Sequence, residues 1–199
     1  MDLRLLKHVN DLWSKIYPYL ADQVMECYGK SHGDVLELGP FSGGISLELA
    51  RRYPGLNITV AAHDPGLLDL LQRKIEGAMF DRKIEVTRSE LDPLVFAEPL
   101  FDLVIFRGAY FFLDEEGRIL REIYRVLKEG GLGFIGGGYG KDTPQAFIDE
   151  IADESRDLNE RLGRIRVTVN EVKNMMNRSG LTPHAGIEKE GGLWLMIHK

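Results

Sequence analysis

The sequence predicts an α/β fold: a three-layer sandwich in which a mostly parallel, seven-stranded sheet carries helices on both faces, behind an N-terminal helical cap. Three observations predict it. From Asp34 onward, short β-rich runs alternate with runs of helical period, the sequence form of repeated strand-helix-strand units. A glycine-rich turn follows the first strand directly, and two further strand-like runs close the sequence around a tight turn. With 199 residues, 44% of them hydrophobic, there is material for one well-buried core and little for a second. We therefore expect one domain, with residues 1–30 as the cap and 31–199 as the core.

Val9, Leu12, Trp13 and Ile16 mark an amphipathic helix that Pro18 interrupts, and a second helical piece runs toward Tyr28. The strands expected next are Asp34–Leu38, Asn57–Ala62, Lys83–Thr87, Phe101–Arg107 and Leu132–Gly136. Between them, a helix from Ile45 to Tyr53 follows the first strand. Leu67, Leu71 and Ile75 form one helix stripe, and Ile119, Leu120, Ile123, Val126 and Leu127 another. Asp64 before Pro65 writes a helix start, and Asp114 ahead of two glutamates suits the positive end of a helix dipole. After Gly136–Gly140, Pro144 leads a helix, Thr168-Val-Asn-Glu171 opens another with a capping box, and Gly180 ends it. His184–Glu188 and Leu193–His198 are the terminal strands, joined through Gly191-Gly192.

Charge and composition narrow the function. A net charge of -6 disfavours nucleic acid as partner, because such binding needs a basic surface to neutralise phosphates. The single cysteine, Cys27, cannot build a disulfide or a thiol-rich metal site, and no spacing among the five histidines resembles a metal site, so no metal is expected. No run of about 18 apolar residues points to a membrane span, and the N-terminus lacks the apolar stretch of a secretion signal. A cytoplasmic location is expected, with a small molecule as partner and a homo-oligomer left open.

In an open parallel sheet, ligands bind beyond the carboxyl ends of the strands. There the first strand runs Val35-Leu-Glu37-Leu-Gly39-Pro40-Phe41-Ser-Gly43-Gly44 into a helix. Glycines at such a turn permit positive φ and close approach of a ligand; a plain structural turn is the alternative.

This segment resembles the first motif of the class I S-adenosylmethionine-dependent methyltransferases, an acidic residue followed by Gly-x-Gly-x-Gly, matched here by Glu37, Gly39 and Gly43. Phe101-Asp-Leu-Val-Ile105 followed by Leu120-Arg-Glu-Ile-Tyr-Arg-Val-Leu-Lys-Glu-Gly-Gly131 is similar to the fourth strand, next helix and turn of that Rossmann-like family. The resemblance covers Ser31 to Lys199. It implies an antiparallel last strand, S-adenosylmethionine as cofactor at Glu37–Gly44, and Arg107 with the fourth-strand loop beside the methionine part. It also implies departures. The family's middle glycine aligns with Phe41, and the acid that binds the ribose hydroxyls aligns with Ala62. Asp64, which projects to the same side if the strand stays extended, or else His63, is expected to approach the ribose; Asp64 as a helix N-cap is the competing reading. The adenine-contacting acid falls at Ser89 or Glu90, with a solvated glutamate as the alternative for Glu90.

No side chain stands out as catalytic, and methyl transfer can proceed by alignment and desolvation alone. Asn or Asp-Pro-Pro-Tyr, the family's signature for amide or base-amine methylation, is absent; Arg107-Gly-Ala-Tyr110-Phe-Phe112 stands in its place. Tyr17 from the cap, Tyr110 from the fourth loop and Tyr139 from the fifth could line an apolar or planar substrate, with core packing as the plainer role. Nicotinamide dinucleotide binding is disfavoured, since Gly-x-Gly-x-x-Gly fails at Phe41 and no acid ends the second strand. The function expected is methyl transfer to a small-molecule acceptor; the alternative is a non-catalytic binding or regulatory module with a degenerate cofactor site.

Overall fold

A computed structural model describes residues 2–78, 84–163 and 167–199. Among them, seven strands form one sheet in the order β3-β2-β1-β4-β5-β7-β6. These are β1 (His32–Leu38), β2 (Gly55–Ala62), β3 (Glu85–Arg88), β4 (Phe101–Arg107), β5 (Leu127–Gly138), β6 (Ala185–Glu188) and β7 (Gly192–His198). The first five run parallel, while β7 lies antiparallel to both β5 and β6. The expected mostly parallel sheet with an antiparallel last strand is the one observed.

Alternation of side chains along the strands divides the core in two. Val35 of β1, Ile105 of β4 and Phe134 of β5 face the layer built by α1 (Leu3–Leu12), α2 (Tyr17–Tyr28), α3 (Gly44–Arg52), α4 (Pro65–Gly77) and α6 (Gln145–Arg161). Leu36, Val104 and Ile135 face α5 (Arg118–Val126) and α7 (Val169–Ser179). On α5, Ile119, Leu120, Ile123 and Val126 are all buried, each stabilising the fold by about 1.5–3 kcal/mol relative to exposure. No described helix is long and apolar enough to cross a membrane.

Local chemistry sets several ends where expected. Asp64 caps α4, accepting the Leu67 N–H at 3.1 Å, with Pro65 in the first turn. The Thr168–Glu171 capping box opens α7, and Gly180 closes it at φ 76°. Other boundaries move. Pro18 does not break the cap; it sits in the first turn of α2, where its missing N–H costs nothing, and the break is a 3-10 turn at Trp13–Lys15. Asp114 does serve the N-terminus of α5, but from four residues ahead, accepting the N–H groups of Arg118 and Ile119. β5 is far longer than Leu132–Gly136, because β7 pairs with it as far as Gly138, and Gly130 and Gly131 are held by the backbone of Lys199. His184 belongs to a short turn ahead of β6. β3 starts at Glu85; Lys83, the expected start, lies outside the described residues.

Candidate functional site

The turn from β1 into α3 is built around glycines whose backbone no other residue adopts easily. Gly39 has φ 89° and Gly43 φ 94°. A Cβ on Gly39 would stand 2.7 Å from the ring of the buried Phe106, so the turn requires its glycine for space as well. Glu37, next to the last residue of β1, is 0% exposed. Its Oε2 accepts the N–H groups of Gly43 and Ser46, both at 2.9 Å, at the positive N-terminus of α3. Burial pushes its carboxyl up from the ordinary range, opposed by the Ser46 hydroxyl and amide, the Gly43 amide and the charge of Arg107. Among the described residues neither Oε1 nor the Ser46 hydroxyl has a hydrogen-bond partner.

Beyond the carboxyl ends of β1, β2 and β3 lies a cleft of about 410 Å³, within the range of small-ligand sites. Gly39, Pro40, Ala62, His63, Asp64 and Glu90 line it, all but Ala62 among the residues expected to hold the cofactor. His63 Nδ1 pairs with Glu90 Oε1 at 2.5 Å, both side chains more than half exposed. Ser89 faces elsewhere: its hydroxyl donates to the Glu90 carbonyl at 2.7 Å and accepts the Val95 N–H at 3.1 Å, fixing the loop after β3. Of the two positions considered for the adenine contact, only Glu90 reaches the cleft. Leu6 of the cap and Phe112 after β4 complete the wall.

Phe41, Arg107 and Tyr110 lie in a separate chamber of about 40 Å³. The Phe41 ring packs against Gly108, where a Cβ would be 2.4 Å away, and lies 5.0 Å from the Phe111 ring. Arg107 is 5% exposed, with its guanidinium over the rings of Trp13, Tyr17 and Phe41 at 4.6, 5.2 and 5.4 Å. Its Nη2 donates to the Tyr17 hydroxyl at 3.0 Å and to Asn10 Oδ1 at 3.3 Å. Tyr17 donates in turn to Asn10, and burial pushes its hydroxyl to about 12. Tyr17 is thus a support for Arg107. Tyr110 ties its hydroxyl to the Leu193 carbonyl and also lines the chamber, while Tyr139 stacks on Trp13 at 5.0 Å.

Sequence reasoning missed Leu6, Asn10, Asp92, Phe112 and Asn159. Asn10 carried a signal, since it interrupts the apolar stripe of α1 one turn before Trp13.

Residues 35–131 match the family described as "Methyltransferase domain". A C-methyltransferase of ubiquinone/menaquinone biosynthesis from Desulfotalea psychrophila is 28% identical over 127 residues, 61% of this chain and 50% of that protein. A malonyl-[acyl-carrier protein] O-methyltransferase from Geobacter sulfurreducens is 28% identical over 149 residues, 73% of this chain and 54% of its own length. The chain therefore spans about half the length of these curated relatives. Among solved structures, a Methanococcus maripaludis protein named for S-adenosylmethionine-dependent methyl transfer superposes with TM-score 0.84 at 25% identity, over 100% of this chain and 93% of its own. With the glycine turn after β1, the acid beneath it and the 3-2-1-4-5-7-6 sheet, these matches show that residues 35–131 belong to the methyltransferase-domain family, on the class I S-adenosylmethionine-dependent fold.

Proposed function

We propose that this chain transfers a methyl group from S-adenosylmethionine to a small-molecule acceptor. The observation that carries this reading is the 410 Å³ cleft at the ends of β1–β3, which is bounded by the glycine turn that Glu37 braces. The residues fit the cofactor. The cleft has room for an adenosine group, and the buried Glu37 braces the glycine turn that borders it. Bound there, the sulfonium supplies an electrophilic methyl group. The chain's own part is to orient and to exclude water: Gly39 admits close approach, His63, Asp64 and Glu90 offer polar partners, and Leu6 and Phe112 close the cleft. The names of the relatives, a C-methyltransferase of ubiquinone/menaquinone biosynthesis and a malonyl-[acyl-carrier protein] O-methyltransferase, support an organic acceptor. In this reading residues 1–30 are the cap of one domain whose core is 31–199.

One observation favours a second reading, a binding or regulatory module that keeps the fold without turnover. Phe41 stands where the family has glycine, and the chamber beside it holds only about 40 Å³. Calorimetry with S-adenosylmethionine and S-adenosylhomocysteine tests the cofactor first; no heat and no competition by either at high protein concentration defeats the enzyme reading.

Two substitutions locate the ribose. Ala62→Asp restores the missing acid and is expected to tighten S-adenosylhomocysteine about tenfold, the worth of one charged hydrogen bond. Asp64→Asn keeps an equally good N-cap but removes the charge. Stability should stay within about 0.5 kcal/mol while affinity falls several-fold. An unchanged affinity would leave Asp64 as a cap alone and transfer the ribose contact to His63 and Glu90.

A further inference from the structure

Arg107 is a buried cation in no ion pair with a described residue; the buried carboxyl of Glu37 feels its charge without touching it. Removing a charge from water is costly unless it is paired, and a guanidinium carries five N–H donors. Two hydrogen bonds are made, both from Nη2 and both to neutral oxygens. Nε is buried without a partner, Nη1 donates to no described residue, and no described carboxylate lies within 4 Å. The rings of Trp13, Tyr17 and Phe41 lie within 5.4 Å of the guanidinium carbon, and Tyr17 and Asn10 hold Nη2, which leaves Nε and Nη1 as the unused donors.

The position of this unused donor set separates it from the cleft. Arg107 lines the small chamber with Trp13, Gly137, Gly138 and Asn159, and the chamber and the 410 Å³ cleft share no lining residue. Between them Phe41, Phe111 and Phe112 stand in series, with centroids 5.0 and 6.0 Å apart, Phe111 on the chamber side and Phe112 on the cleft side. At about 40 Å³ the chamber matches a small planar group rather than a whole ligand, a water taking roughly 30 Å³ of liquid.

We propose that Arg107 anchors a carboxylate of the methyl acceptor, which makes the substrate class a small carboxylic acid whose acid group enters the chamber beside Trp13 and Asn159. This rests on the methyltransferase reading and deepens it. Guanidinium and carboxylate are matched in charge and planarity, and the three rings exclude the water that would weaken the pair. Tyr17 and Asn10 are positioning residues that hold the guanidinium for it.

The test titrates benzoate and its neutral analogue benzamide into the protein saturated with S-adenosylhomocysteine, followed by ligand-observed NMR. Benzoate is expected to bind the wild type at least tenfold more tightly than benzamide. Arg107→Met should abolish that preference while leaving S-adenosylhomocysteine affinity within twofold. Arg107→Lys, which keeps the charge and so guards against a folding defect, should weaken benzoate several-fold and leave the cofactor product unaffected. Equal binding of benzoate and benzamide to the wild type overturns the proposal. So does a tenfold loss of S-adenosylhomocysteine affinity in either variant without loss for methylthioadenosine, which lacks the amino-acid part; Arg107 would then hold the cofactor's own carboxylate. A wild type that binds no S-adenosylhomocysteine defeats the methyltransferase reading, a result distinct from a product-bound protein that ignores benzoate.

Discussion

Gly39→Val is expected to destabilise the protein by about 2–4 kcal/mol and to abolish S-adenosylhomocysteine binding at concentrations that saturate the wild type. Two costs combine. A β-branched residue at φ 89° is strained, and its Cβ would meet the fully buried Phe106 ring at 2.7 Å. Against a total stability of about 5–15 kcal/mol, that shift is read directly from the midpoint of urea unfolding. A variant with the wild-type midpoint would show that the turn does not hold the backbone described, and one that still binds the product would place the cofactor elsewhere.

Glu37→Ala is expected to cost about 2–4 kcal/mol, because the Gly43 and Ser46 N–H groups lose their acceptor inside the protein, each at about 1–3 kcal/mol. Its pH dependence gives a sharper signature. Burial raises the folded-state pKa above the ordinary carboxyl value near 4.5, so the folded protein binds the proton more tightly than the unfolded chain does. The stabilisation that this group contributes is therefore complete below pH 4.5 and declines as pH rises through the folded value. Glu37→Gln lacks this limb. The stability difference, wild type minus Glu37→Gln, should fall with rising pH and then level off. A difference that grows with pH would mean that the hydrogen bonds at the α3 N-terminus outweigh burial.

How much of this was legible in the sequence depends on how locally each feature is determined. β4 was read to the residue because it is an apolar run with Arg107 at its end, buried almost throughout. Asp64-Pro65 and Thr168–Glu171 were read as helix starts because caps act over three residues. β1 and β2 each began two residues earlier than read: His32 and Gly33 pair with Gly55 and Leu56, a register that the composition of neither segment reveals. In β5, glycine carries little strand signal, and β7 supplies the ordering that local preference does not. At the site, Glu37, Gly39 and Gly43 were legible as a motif. The pairing of His63 with Glu90 and the support of Arg107 by Asn10 and Tyr17 join distant segments and became visible only in three dimensions.

The place of β7 between β5 and β6 governs how the chain can be assembled. Parallel strands β1 to β5 can collapse as soon as they emerge from the ribosome, but the outer side of β5 then remains an unpaired edge until residues 192–198 arrive. β6, although made earlier, pairs only with β7 and has no place in the sheet before it. Sheet completion is therefore a late, long-range event that slows folding and prolongs the interval in which nascent chains can associate through that edge.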